Sequence, residues 1–463
     1  MKSLVLKLCS LVSISLCLGL YAKSSGMNAH QALSISIFSA SVLGTLFFWD
    51  FRLSFAFIGT SVLLMTKTVD LEHVIEFSSL EVILFLVGMM VIVGLLKDSG
   101  VFAWIVSLIL RIPNLSGKKF VLIISLVSAL LACTIDEVTS IIFMVVAVLE
   151  ICDYFEVNPV PFVIISVLAT NIGSAATVLG NPIGILIASK SGLSFEDFIV
   201  KAFPLAALCL LVAISILLFW YRKSIKLLGE QINRLGANEI LIRLISVPLE
   251  KNLKINLGIF SAMLIFIALH RRMEIAWGLA ANTVLLVVPL VASGLVMIWK
   301  HNKARKYIEK DVEWWTLLFF LLLFVQAGTL KYTGATIFIA EHMLAACSNS
   351  LNLLTSVMLW ISAIGSSMLD NVVLVAAFIP VVQGFQGLNI SLQPLWWALL
   401  FGGCLGGNIT LIGSTANIVA IGILEKEKRI KITFLDWFWV GLSVGLITTF
   451  IVMVALISLP FYR

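Results

Sequence analysis

Apolar runs of bilayer length recur along almost the whole chain, and no other feature constrains its fold as tightly. A transmembrane helix needs about 20 apolar residues, whereas roughly 10 to 14 make a re-entrant or interfacial piece. Runs of spanning length occupy 3–22, 32–49, 79–97, 200–220, 275–298, 314–330 and 437–460. Shorter candidates lie at 54–66 and 255–269. Two long stretches interrupted by Gly, Asn and Pro, at 160–188 and 394–423, bring the expected crossings to eleven. Segments 101–110 and 335–347 are too short to cross and are predicted to lie near the interface. Stretches 119–149 and 352–384 are each split by acidic residues. Their halves, about 12–15 residues long, suit the arms of a hairpin that enters and leaves on one side. The predicted class is therefore an all-α polytopic membrane protein.

Composition agrees, since 60% of the 463 residues are hydrophobic and only 12% are charged. Too few polar side chains exist to cover a soluble globule, which excludes a cytosolic enzyme, a secreted disulfide scaffold and a disordered regulator. The seven cysteines are scattered without metal-like spacing, and Cys133 and Cys404 read as small packing residues. With the N-terminus inside, the inner segments collect 23 of the 31 Lys and Arg residues, including Lys2, Lys7, Arg52, Lys97, Lys118 and Lys119. That bias follows the positive-inside rule. It puts the hairpin at 119–149 on the cytoplasmic side and the one at 352–384 on the other. Residues 1–22 are read as an uncleaved first helix; a signal peptide ending at Ala22 is the alternative, and it leaves the later orientation unchanged. Trp314, Trp315, Trp396, Trp397 and Trp437 are expected in interfacial belts, and His342 at the surface.

The chain also repeats itself. Gly94-Leu-Leu-Lys97-Asp-Ser-Gly100 recurs as Gly328-Thr-Leu-Lys331-Tyr-Thr-Gly334, an offset of 234. Asp136-Glu137-Val138 recurs at the same offset as Asp370-Asn371-Val372, and Thr177-Val-Leu-Gly180 at 233 as Thr410-Leu-Ile-Gly413. Leu193-Ser-Phe195-Glu-Asp197 recurs as Ile432-Thr-Phe434-Leu-Asp436. An odd number of expected crossings separates the copies, so the second is predicted to be inverted. Inverted repeats with interrupted helices at matching places point to a secondary transporter. The expected organisation is a set of N-terminal transmembrane helices (1–78), a first repeat core (79–220) and a basic cytoplasmic loop (221–254). Scaffold helices with a basic loop (255–313) and a second repeat core (314–463) follow.

Irregular backbone survives at membrane depth only inside protein or beside a wet cavity. The first hairpin tip offers Thr134, Asp136, Glu137 and Thr139, and the second Asp370 and Asn371. The broken helices offer Asn171, Ser174, Thr177, Gly180 and Asn181, then Asn408, Thr410, Gly413, Ser414, Thr415 and Asn417. Hydroxyls, amides and freed carbonyls of this kind are hard oxygen ligands, suited to Na+ or Li+ rather than to a soft metal. Asp136, Glu137 and Asp370 are the only carboxylates expected well inside the apolar zone, with no Lys or Arg beside them. Intramembrane carboxylates are costly and mark ion or proton pathways; Asp136 and Asp370 can also cap the helix arms that start at each tip. Adjacent carboxylates such as Asp136 and Glu137 split their proton affinities, which suits proton exchange.

These segments resemble the ion transporter superfamily, in the branch of arsenite permeases, NhaD-type sodium/proton antiporters and citrate-permease-like proteins. The resemblance is carried by Asn158-Pro-Val-Pro161-Phe162, Asn171-Ile-Gly173, Leu193-Ser-Phe195, Leu369-Asp370-Asn371-Val372 and Leu395-Trp396-Trp397-Ala398-Leu399. Cys404-Leu-Gly406-Gly407-Asn408-Ile-Thr410-Leu-Ile-Gly413 carries the most specific part. It implies two hairpins meeting two unwound helices, an inner transport domain on an outer scaffold, alternating access and a homodimer. The chain departs from the pattern in its first half: Asp136-Glu137 stands where Asp-Asn is usual, and Gly180-Asn181-Pro182-Ile183-Gly184 where Gly-Asp-Pro-Pro-Asn is frequent. One acid thus leaves the broken helix and another appears at the tip.

The leading expectation is a Na+/H+ antiporter-like secondary transporter in a bacterial-type inner membrane, with Na+ or H+ as the coupling ion and no other cofactor. An arsenite or citrate/dicarboxylate permease is the alternative, and a passive channel or an embedded enzyme ranks lower. No nucleic-acid partner is implied; lipid and a small ion or small carboxylate are.

Overall fold

The computed structural model describes residues 2–101, 104, 108, 115–235, 251–388, 390–428 and 430–462. The expected interfacial piece 101–110 lies largely outside them. All regular structure among these residues is helical. Among the described residues, nine helices are long and apolar enough to cross a membrane. Five shorter apolar helices accompany them, Arg52–Met65, Val160–Ser174, Thr283–Trp299, Ala335–Ala346 and Asn371–Gly384.

Both expected hairpins are present, and three of their four arms are longer than expected. The first runs Gly117–Thr134 and Glu137–Tyr154, 18 residues each, and the second Leu351–Met368 and Asn371–Gly384, 18 and 14 residues. Counting only apolar side chains trimmed them: Ser116 caps the first arm through the Lys119 N–H, so helix starts on polar residues. By length and composition, Gly117–Thr134 and Leu351–Met368 stand among the nine.

Both interrupted stretches are broken helices. Val160–Ser174 stops, and Pro182–Ser191 starts again with Asn181 as its cap and Pro182 in the first turn, where its missing N–H costs nothing. Gln393–Gly406 and Thr415–Lys428 repeat the arrangement. The expected span 275–298 is also broken. His270–Trp277 ends on Gly278 at φ 66°, and Thr283–Trp299 starts afresh. The basic segment 221–254 contains a helix, Arg222–Leu235, beyond which residues up to 250 are not described.

Glycine lets these pieces touch backbone to backbone. A Cβ on Gly173 would lie 2.4 Å from Ala129 Cα, and one on Gly406 2.2 Å from the Ala363 carbonyl oxygen. These contacts, at offsets of 233 and 234 positions, bind each broken helix to the first arm of its own hairpin. The second arms cross over. Glu137–Tyr154 packs against Thr415–Lys428, and Pro182–Ser191 packs against Asn371–Gly384. Each half therefore completes the other. Around this unit, Leu80–Asp98 packs on Thr283–Trp299, and Trp314–Tyr332 on Arg52–Met65.

Candidate functional site: two hairpin tips and two broken helices

Each hairpin tip is a helix start whose orphan N–H groups are taken by an acid. The Thr139 N–H donates to Asp136 Oδ1 at 2.8 Å, and the Val372 N–H donates to Asp370 Oδ1 at 3.1 Å. The capping role of both acids is therefore real, and it leaves oxygens for other partners. Asp370 Oδ2 accepts from Thr415 Oγ1 at 2.5 Å, which joins the second tip to the second broken helix.

The residue after each acid bridges the halves. Asn371 Nδ2 donates to both Glu137 carboxylate oxygens, at 3.2 and 3.4 Å. Both side chains are buried, and Asn371 Oδ1 is buried with no hydrogen-bond partner among the described residues. A buried carboxylate without a full set of donors is costly.

The broken helices interlock through amides. Asn171 Nδ2 donates to Asn408 Oδ1 and Asn417 Oδ1, both at 2.9 Å, and Asn171 Oδ1 accepts from Ser414 Oγ at 3.2 Å. Asn417 Nδ2 donates to the carbonyls of Gly407 and Thr410 at 2.7 and 2.8 Å, closing the unwound loop on itself. Asn181 caps its helix through the Gly184 N–H and donates to Ser174 Oγ (2.9 Å) and Cys404 Sγ (3.1 Å). Cys404 is thus an acceptor as well as a packing residue. Thr177 Oγ1 donates to the Cys133 carbonyl and Thr410 Oγ1 to that of Ser367, the same bond in each half. Gly180 and Gly413 allow the loops to fold back, since a Cβ there would lie 2.2 and 2.8 Å from backbone oxygens.

A cavity of about 200 Å³ opens onto this cluster. Asp136, Glu137, Thr139, Asn181 and Thr415 line it, with Lys97, Lys310, Asp311, Glu313 and Thr316 toward its surroundings. Asn171, Ser174, Asn408, Ser414 and Asn417 form the buried network behind it, and Asp370 reaches it through Thr415. Thr134 stays apart, its hydroxyl donating to the Leu130 carbonyl of its own arm.

The expectation that no basic side chain accompanies the acids does not hold. Lys97 and Lys310 line the cavity. Arg52 is buried, with its guanidinium 4.1 Å from the Trp49 ring centre and Nη2 donating to Thr316 Oγ1 at 3.3 Å. Asp311 and Glu313, which the sequence reading does not single out, line the cavity as well. The aromatic expectation also fails in part. Trp314 and Trp315 are exposed, but Trp396, Trp397 and Trp437 are buried, and Trp437 Nε1 donates to the Asn408 carbonyl at 2.9 Å. That indole braces the second break rather than a lipid surface.

A multi-pass helical bundle holding a carboxylate-lined cavity between two hairpin tips and two broken helices defines a membrane transporter. The sequence matches the family model CitMHS, described as citrate transporter, over residues 46–402, and the chain belongs to that family. An uncharacterized transporter of Mycobacterium tuberculosis is 31% identical over 354 residues, covering 75% of this chain and 78% of the relative. An uncharacterized transporter of Synechocystis is 25% identical over 410 residues, 84% of this chain and 88% of the relative. The human P protein is 26% identical over 440 residues, 80% of this chain and 52% of its own.

Proposed function

We propose that the protein is a secondary-active ion transporter that exchanges Na+ for protons by alternating access. The observation that carries this reading is the Glu137–Asn371 contact, which joins the two hairpin tips where Glu137 and Asp136 line the cavity. In this reading Asp136, Glu137 and Asp370 hold Na+ or a proton in turn. Thr139, Thr415 and the unpartnered Asn371 Oδ1 add neutral oxygens, a ligand set matched to a hard monovalent cation. In this reading two inverted halves let the site open to either side in turn, and a homodimer is the assembly the family resemblance implies.

A second reading rests on Lys97 and Lys310 at the cavity and on Arg52 behind Thr316. These cations, together with the family's description as citrate transporter, favour a small carboxylate carried with the coupling cation. Purified protein in liposomes under an imposed pH gradient, offered Na+, Li+, arsenite and citrate in turn, separates the two. Proton release on adding Na+ or Li+ supports exchange. Cation-dependent citrate uptake without that release supports the second reading, and a response to none of the four contradicts both.

A further inference from the structure

A second pocket of about 230 Å³ lies between the scaffold and the second hairpin, lined by Glu76, Ser79, Lys190, Gly328, Lys331 and Gln383 among others. Part of its wall matches that of the first cavity at an offset of 234, while Leu186, Lys190, Ile379, Pro380 and Gln383 have no counterpart there. Gly328 and Lys331 answer to Gly94 and Lys97, and Glu76 and Phe77 to Lys310 and Asp311. Local packing matches too. A Cβ on Gly94 would lie 3.0 Å from Asp311 Oδ2, and one on Gly328 2.5 Å from Phe77 Cβ. Each glycine lets the residue ahead of the facing helix press against the helix that carries it.

The same two helices run between the pockets in opposite senses. Leu80–Asp98 has Gly94 and Lys97, near its end, at the first cavity, while Ser79, immediately before its start, lines the second. Trp314–Tyr332 does the reverse, with Thr316 at the first cavity and Gly328 and Lys331 at the second. At 1.5 Å per residue, Ser79 and Lys97 stand about 27 Å apart, close to the roughly 30 Å of a bilayer's hydrocarbon core.

We propose that the pocket at Glu76, Lys190 and Lys331 is the second mouth of the ion pathway, opening on the membrane face opposite the cavity at Asp136 and Glu137. This rests on the transport reading above but not on which ion is carried. The two mouths share one lysine position (Lys97, Lys331) and differ in sign at another, Lys310 against Glu76. Lys190 pairs with Glu81 at 3.2 Å, so Glu76 and Lys331 set the field of the second entrance. A hydrated small cation meets a single acid, Glu76, on entering there, but Asp311 and Glu313 beside two lysines on entering the first cavity. The two faces therefore differ in apparent affinity although the buried ligands are shared.

Labelling tests the placement. Cys9 and Cys17, the exposed cysteines, are replaced by serine, and Lys97→Cys and Lys331→Cys are introduced singly at exposed positions. A membrane-impermeant maleimide is then applied to right-side-out and to inside-out vesicles. The proposal expects the two cysteines to react from opposite sides. Reaction from one side only, or a Lys331→Cys protein that labels when denatured but from neither side when native, overturns it. Glu76→Lys, in liposomes of defined orientation, is expected to raise the apparent KM for the transported cation at least threefold from the Lys331 side alone; an equal change from both sides also overturns it. Opposite-side labelling without Na+/H+ exchange would keep the second mouth and reject the antiport reading. Exchange with same-side labelling would do the converse.

Discussion

Glu137 and Asn371 occupy the same place in the two hairpin tips, 234 positions apart, and each is the other's partner: the Asn371 amide spans both oxygens of the Glu137 carboxylate at 3.2 and 3.4 Å. A pair of equivalent positions that touch lies where the two halves meet. Breaking such a buried contact costs about 1–3 kcal/mol when one polar group is left without a partner. Glu137→Ala and Asn371→Ala are each expected to lower the unfolding temperature in detergent. The swapped double variant Glu137→Asn/Asn371→Glu restores the bond with its ends exchanged, and should recover most of the loss. A double variant as unstable as the sum of the two alanine changes would deny the coupling.

Thr177 and Thr410 make one bond twice, each hydroxyl reaching the carbonyl just before a hairpin tip, at Cys133 and at Ser367. Valine keeps the shape and removes the donor. Thr177→Val and Thr410→Val should each cost about 1–2 kcal/mol, because a buried carbonyl loses its partner. The losses should add, since the sites share no partner. Thermal unfolding of the single and double variants reads this directly.

Gly173 and Gly406 have no room for a methyl group against Ala129 and Ala363, whose backbone cannot move without displacing a helix. Gly173→Ala and Gly406→Ala are expected to give little monodisperse protein on size exclusion. Gly258→Ala and Gly422→Ala are the controls. Nothing lies within 4 Å of a Cβ at either position, and alanine favours the helix by about 0.5–1 kcal/mol.

Arg52 stacks its planar guanidinium on Trp49 and donates to Thr316 at the cavity wall. Lysine keeps the charge but neither the flat face nor the fork of donors. Arg52→Lys should therefore lose about 1 kcal/mol of the stacking interaction and raise the KM for any carboxylate substrate, with expression unchanged. Unaltered uptake would remove Arg52 from the second reading.

The breaks were the most legible part of the chain. Asn181-Pro182 and the Gly406-Gly407 pair stop a helix for local reasons, and both interruptions fall where the sequence placed them. Asp136 and Asp370 were legible as well, because an acid in an apolar run must be capping a helix, binding an ion or both. The cation partners were not. Arg52 and Lys310 lie outside the apolar runs, and only tertiary packing brings them to the cavity. Trp437 misled for a related reason: an aromatic residue near a span's end fits a lipid belt and a buried brace equally well until the Asn408 carbonyl is seen beside it. The first hairpin's opening arm was underestimated because Ser116 caps a helix that begins on Gly117, Lys118 and Lys119, ahead of its apolar part.

Flux through Asp370→Asn protein tests the central claim most directly. Asparagine keeps one side-chain oxygen for the Val372 N–H and turns an amide nitrogen toward Thr415, whose hydroxyl then accepts instead of donating, so the second hairpin should remain capped and the protein folded. In liposomes with an imposed pH gradient, the account predicts that Na+-driven proton release falls to the level of empty vesicles while the unfolding temperature stays near that of the unaltered protein. Exchange at the unaltered rate, in protein shown to be folded, would contradict it.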